Sequence, residues 1–207
     1  LVGSEMCIRD SFRKIERRKL MRKKFLGILL AAGVIAAMTG CGSTNNVDGE
    51  KATADENGNY LINGSFEEAD FTGWTVNNVN DSTEELDIYD RDTDCFEGVQ
   101  SLHFYSGSSN VDFSAEQTVN GLEEGTYKLT AHIQGDAAGD KNATVYFYAV
   151  VNGEEIKVDG ELNGYVNWYT AEIPDLKPAD GEITVGVRVT TAPGGWGTID
   201  DLTLVKE

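Results

Sequence analysis

Hydrophobic and polar residues alternate singly along most of the chain after Tyr60, in short runs. Neighbouring side chains of an extended strand point to opposite faces, so this pattern predicts β-structure with one face buried. Nine strands are expected: Tyr60–Phe66, Glu84–Tyr89, Gln100–Tyr105, Asp112–Thr118, Thr126–Gln134, Ala143–Val151, Trp168–Ile173, Glu182–Thr190 and Thr198–Val205. Turn signals separate them at Asn120-Gly121, Glu124-Gly125, Asn152-Gly153 and Asp180-Gly181. Asn152-Gly153 suits a two-residue hairpin, whose central positions both take positive φ. No stretch has a helical period of useful length, and many short strands broken by Gly, Asn and Asp read as a sandwich or barrel.

Alternation also sorts the faces. Tyr127, Leu129, Ala131 and Ile133 oppose Lys128, Thr130, His132 and Gln134, while Ile183, Val185, Val187 and Val189 oppose Thr184, Gly186, Arg188 and Thr190. Leu86 and Ile88 oppose Asp87 and Tyr89, and Val145, Phe147, Ala149 and Val151 oppose Tyr146 and Tyr148. The apolar sets are the expected core. The opposite sets are polar with aromatic members.

Before Tyr60 the alternation fails, and charge shows why. Nine of the 17 Lys and Arg but only three of the 35 Asp and Glu fall in the first forty of 207 residues, leaving 8 basic and 32 acidic residues, a net of −24, for positions 41–207. From Met21 a basic start (Met-Arg-Lys-Lys) runs into an apolar stretch from Phe25 to Met38, the pattern of a secretory signal over 21–40 and too short for a stable membrane span. Residues 1–20 put a charged segment ahead of that signal and are read as a non-native extension. Met38-Thr39-Gly40-Cys41 resembles a bacterial lipobox, which implies cleavage before Cys41, lipid on that cysteine, membrane contact through the lipid alone, and display at the bacterial cell surface. Residues 41–58 hold almost no large apolar side chain and read as a flexible tether to a domain at 59–207. The acidity of the domain argues against nucleic acid and acidic glycans, and cysteines at 7, 41 and 95 make no disulfide framework.

Five motifs then occur in order: Asn63-Gly64-Ser65-Phe66-Glu67, Gly73-Trp74, Gly98-Val99-Gln100-Ser101-Leu102, Gly121-Leu122 followed by Gly125-Thr126-Tyr127-Lys128-Leu129, and Ile199-Asp200-Asp201-Leu202-Thr203-Leu204. Together they resemble the carbohydrate-binding modules of the galactose-binding-like jelly-roll superfamily. Gly195-Trp196-Gly197-Thr198-Ile199-Asp200-Asp201 is similar, more narrowly, to modules attached to bacterial endo-β-1,4-galactanases.

The resemblance implies an all-β jelly-roll sandwich of two four-stranded sheets. The strands around Leu86, Thr130, Tyr146 and Arg188 would share one sheet, and those around Ile62, Leu102, Tyr169 and Leu202 the other. Tyr89, His132, Gln134, Tyr146, Tyr148 and Arg188 would then form one binding face, with Asp87 and Arg91 nearby and Trp196 at its lip. Aromatic rings stack on the C–H face of a sugar, and Gln, His and Arg side chains held on rigid strands bond its hydroxyls. Trp74 and Trp168 are expected to pack structurally, and His103 and His132 to lie on different sheets. The resemblance also implies a structural Ca²⁺ on Glu67 and Asp200, with backbone carbonyls such as those of Ser65 and Gln100. Asp200 shares its parity with Leu202 and Leu204 and is expected to point inward.

No nucleophile motif, phosphate loop or Cys/His dyad accompanies these residues. The expected function is non-catalytic binding of plant-type polysaccharide, with β-1,4-galactan first. Two alternatives stand beside it. One is an amino-terminal fragment of a galactanase without its catalytic domain, since the chain stops three residues after Leu204; the other is a protein-binding adhesion domain.

Overall fold

The computed structural model describes residues 51–207; the 1–20 extension, the signal at 21–40 and Cys41 lie outside the described residues. Ten strands form two antiparallel five-stranded sheets packed face to face, with no α-helix among the described residues. In chain order they are β1 (Thr75–Asn78), β2 (Glu85–Asp90), β3 (Gln100–Tyr105), β4 (Val111–Val119), β5 (Tyr127–Asp136), β6 (Thr144–Val151), β7 (Glu154–Asp159), β8 (Gly164–Leu176), β9 (Ile183–Thr191) and β10 (Trp196–Lys206). One sheet runs β1-β4-β9-β6-β7 and the other β2-β3-β10-β5-β8. The described residues form an all-β jelly-roll sandwich.

The apolar faces read from alternation are the core. Tyr127, Leu129, Ala131 and Ile133 of β5 meet Phe147 and Ala149 of β6 and the valines of β9 in one buried cluster. Phe104 of β3 and Phe113 of β4 bridge the two sheets with ring centroids 5.4 Å apart, both fully buried. Asn152 and Gly153 take φ of 53° and 79° between β6 and β7, the hairpin geometry their chemistry favours.

The expected sheet membership is overturned. β2 and β5 belong to one sheet, β6 and β9 to the other, and each sheet has five strands instead of four. Alternation shows which residues of a strand share a face, but carries no information on which sheet the strand joins. His103 and His132 consequently lie on the same sheet, on β3 and β5.

Tyr60–Phe66 is not a strand. Asn63 and Phe66 take positive φ, Phe66 N–H bonds back to Asn63 O, and only Asn59 bridges to Val205. Gly64 fits against the Leu202 carbonyl, where a Cβ would collide. Residues 51–58 also depart from a free tether. Ala52 N–H donates to Gly121 O, Lys51 pairs with Glu123 at 3.2 Å, and Asp55 accepts N–H groups from Asn57 and Asn59 in a tight turn. The buried Trp74 packs against Phe66, as its expected structural role requires.

Candidate functional site

The outer face of the β2-β3-β10-β5-β8 sheet holds a pocket of about 370 Å³. Register explains its lining. Glu85, Asp87 and Tyr89 pair with Tyr105, His103 and Ser101, and Thr198 and Trp196 pair with His103 and Tyr105 from the other side. Paired residues share a face, so Tyr89, His103, Tyr105, Trp196 and Thr198 converge outside the core. Tyr165, at the start of β8, brings a ring that is 55% exposed and lies 6.4 Å from that of Trp196. Arg91, from the loop after β2, lies over the Tyr89 ring at 4.3 Å.

Several bonds hold these groups in place. Asp94 accepts from Tyr165 Oη at 3.0 Å and faces Arg91 at 3.9 Å. Gln134 Nε2 donates to Thr198 Oγ1 at 3.0 Å, and its Oε1 accepts Val166 N–H. Val166 is a β-branched residue with φ of 60°, a conformation that costs energy and persists only where the surroundings enforce it. The buried Gln134 holds the N–H of this residue, and the neighbouring Tyr165 projects beside Trp196.

His103 stacks on Tyr89 at 3.5 Å and 12°, and its Nδ1 lies 2.9 Å from Asp87 Oδ1. Burial pushes its pKa below the ordinary histidine value, and Asp87 only partly opposes this. His132 is lowered for the same reason. A histidine whose pKa is depressed on folding contributes stability that is complete above its unfolded value, near 6.5, and is lost as pH falls through the folded value. Thermal melts should therefore fall below about pH 6.5, and His103→Gln should flatten part of that decline. A variant with an unchanged slope would show that His103 is not charging.

The sequence-expected face is divided. Tyr89 and Trp196 line the pocket, Gln134 supports it from beneath, and His132 lies two residues along β5, under Phe96. Tyr146, Tyr148 and Arg188 sit on the outer face of the other sheet, where each is already engaged. Tyr148 is buried over Gly186 with its hydroxyl 2.8 Å from Glu116, Lys157 lies over the Tyr146 ring at 4.7 Å, and Arg188 pairs with Asp112. Tyr105, Tyr165, His103 and Asp94 were not singled out as binding residues. His103 and Tyr105 did leave a trace, since they alternate with Leu102 and Phe104 in the expected strand, and Tyr165 stands as an aromatic beside Gly164 and outside any expected strand.

Glu67 and Asp200 close on one loop. Asp200 Oδ2 accepts the N–H groups of Phe96 and Glu97 at 2.7 and 3.0 Å, and Glu67 Oε1 those of Val99 and Gln100 at 2.6 and 2.8 Å. Asp200 is fully buried, but not in the core. It pairs with His132 on the outer face, and a bulge between Asp200 and Thr203 shifts the register, so Leu202 and Leu204 point inward while Asp200 points out beneath the loop. The shared-parity argument fails at that bulge. Burial raises the Asp200 pKa to about 8, against the lowering effect of its N–H partners. Such a carboxylate needs a proton or a cation. Carboxylate oxygens keep further lone pairs after accepting N–H bonds, and Gln100 Oε1 is buried without a hydrogen-bond partner. The oxygen chemistry of Glu67 and Asp200 suits a hard cation, although no group of three or more His, Cys, Asp or Glu close enough to hold a metal occurs among the described residues.

No family model and no curated protein matches the chain. Among solved structures, TmCBM61 in complex with β-1,4-galactotriose aligns with a TM-score of 0.64 at 26% identity, over 72% of this chain and 99% of that one. The enzymatically active domain of bacteriophage CBA120 tailspike protein 4 aligns with a TM-score of 0.53 at 13% identity, over 72% of this chain and 22% of that one. The CBM22-1 xylan-binding domain of Paenibacillus barcinonensis Xyn10C aligns at 0.46 and 15%, over 69% and 90%. The first and third of these neighbours are carbohydrate-binding modules.

Proposed function

We propose that the chain is a non-catalytic carbohydrate-binding module whose pocket takes a neutral plant polysaccharide, β-1,4-galactan first, and which a lipid on Cys41 holds at the bacterial cell surface. The observation that carries this reading is the pocket itself, with four aromatic rings (Tyr89, Tyr105, Tyr165 and Trp196) around Arg91, Asp94 and Glu85. Rings supply stacking area for pyranose faces, and the charged side chains offer donors and acceptors to hydroxyls. A galactotriose complex of a neighbour aligned over 99% of its length supports galactan over other glycans. The surplus of acidic residues favours an uncharged chain.

Electrophoresis in gels containing galactan should retard the protein, while polygalacturonate should not; no retardation by any neutral polysaccharide would remove the reading. Release of reducing ends from galactan by the purified chain would favour an enzyme instead.

Glu67 and Asp200 would hold a structural Ca²⁺, whose charge would compensate the buried carboxylate and fix the 96–100 loop. Treatment with EDTA should then lower the melting temperature, and added Ca²⁺ should restore it. A melt indifferent to both would exclude the ion.

A further inference from the structure

Beyond the pocket, the same face carries aromatic surface that the binding reading does not use. Phe96 belongs to the loop between β2 and β3. Its ring stacks on His132 at 3.6 Å and 7°, meets Trp168 edge-on at 5.6 Å, and is still 42% exposed. One face therefore rests on histidine while the residue keeps a substantial exposed surface. A large apolar ring at the tip of a loose loop would mean little, but this loop is fixed at five points. Phe96 and Glu97 are held by Asp200, Val99 and Gln100 by Glu67, and Ser101 Oγ by Asp94 O at 3.1 Å. Phe96 is thus presented flat and with little entropy left to lose on contact.

The position of this surface matters as much as its exposure. His132 and Gln134 are two residues apart on the outer face of β5, about 7 Å by the strand rise. Gln134 bonds Thr198 of the pocket wall and holds Val166, which is 54% exposed between Tyr165 and the Trp168 side of β8. The Trp196–Tyr165 pair at the pocket and the Trp168–Phe96 pair beyond it are thus linked along β8, with the exposed Val166 between them in sequence. Isolated exposed apolar residues are ordinary, whereas a contiguous strip joined to a pocket marks a binding surface.

We infer that Phe96 and Trp168 form a second stacking subsite, and that this face takes successive rings of one neutral oligosaccharide running from the pocket across Val166. The inference rests on the glycan-binding reading and deepens it, because the ligand becomes a chain and not a single terminal sugar. Continuity with the pocket identifies the occupant: a chain seated between Tyr165 and Trp196 has the strip as its next surface. The five side chains that make the strip are themselves uncharged, which suits a neutral ligand.

Calorimetric titration with β-1,4-galactobiose, galactotriose and galactohexaose tests this. The wild type should gain roughly tenfold in affinity from the disaccharide to the hexaose, the scale of one added stacking contact. Phe96→Ala should lose that gain and leave disaccharide affinity within about twofold, Phe96→Tyr should keep the gain, and Trp196→Ala should weaken every length. Equal melting temperatures of Phe96→Ala and wild type would show that the loop is intact; if Phe96→Ala melts lower, Trp168→Ala gives the same comparison. A Phe96→Ala protein with wild-type length dependence would overturn the second subsite while leaving the pocket standing. Absence of binding at every length in the wild type would overturn both.

Discussion

Trp196→Ala is expected to weaken galactan binding by roughly thirtyfold, about 2 kcal/mol, the scale of a central aromatic in a binding site. The ring opens β10 and is half-buried, with Tyr165 beside it. The backbone beneath it is unusually close-set. Gly197 pairs with Gly135 of β5, and a Cβ on Gly197 would meet the Gln134 carbonyl and the Phe104 ring at 2.5 Å. This glycine-lined crossing sets Trp196 on a rigid floor, so truncating the indole removes contact area without opening the core. The melting temperature should move by only a few degrees, on the order of the shift for 1 kcal/mol. Tyr146→Ala combined with Tyr148→Ala serves as the control from the opposite face, and binding should stay within about twofold of wild type. If the double variant lost binding and Trp196→Ala kept it, the site would belong to the β1-β4-β9-β6-β7 sheet.

For stability the largest effect is expected at Phe104. Its ring crosses from one sheet to Phe113 of the other and also abuts Gly197, with no exposure to solvent. Phe104→Ala removes the buried ring and leaves a cavity that the strands cannot close without breaking ladder hydrogen bonds. The loss should be about 3–5 kcal/mol, and on the order of 10 °C in melting temperature for a domain of this size. Phe104→Leu, which keeps most of the volume, should recover more than half. Melts of both variants with and without galactan separate this effect from binding, because Phe104 points away from the pocket. An alanine variant within about 1 kcal/mol of wild type would mean that the sheets are not joined there.

The strands with clean alternation were legible, because burial on one face imposes the period directly. Gln100–Tyr105 was expected with its observed ends, and the core sides of β5, β6 and β9 follow from Tyr127, Val145 and Ile183 onward. Weakly amphipathic strands were not. Glu154–Asp159 is an edge strand with Ile156 43% exposed, and Thr75–Asn78 has only four residues, so neither had to display a buried face. Tyr60–Phe66 failed in the opposite sense, since Asn63-Gly64 and the positive φ of Phe66 make turns from residues that alternate.

The site was half legible for the same reason. Tyr89, Gln134 and Trp196 could be placed on outward faces, but which outward face depends on strand order, a long-range property that a local pattern does not carry. At Asp200 a single bulge reversed the parity on which the inward reading depended.

The packing of residues 51–59 has a mechanical consequence. Lys51 and Lys206 both reach Glu123, and Asn59 bridges Val205, so the first described residues and the end of β10 meet at one pole of the sandwich. Trp196 stands at the other end of that 11-residue strand, about 35 Å away at the usual rise. If the chain binds glycan and is tethered through the residues before Lys51, as proposed, a pull on the glycan would be transmitted along β10 and its neighbours. In that direction antiparallel ladders would be loaded in shear, with many hydrogen bonds sharing the force.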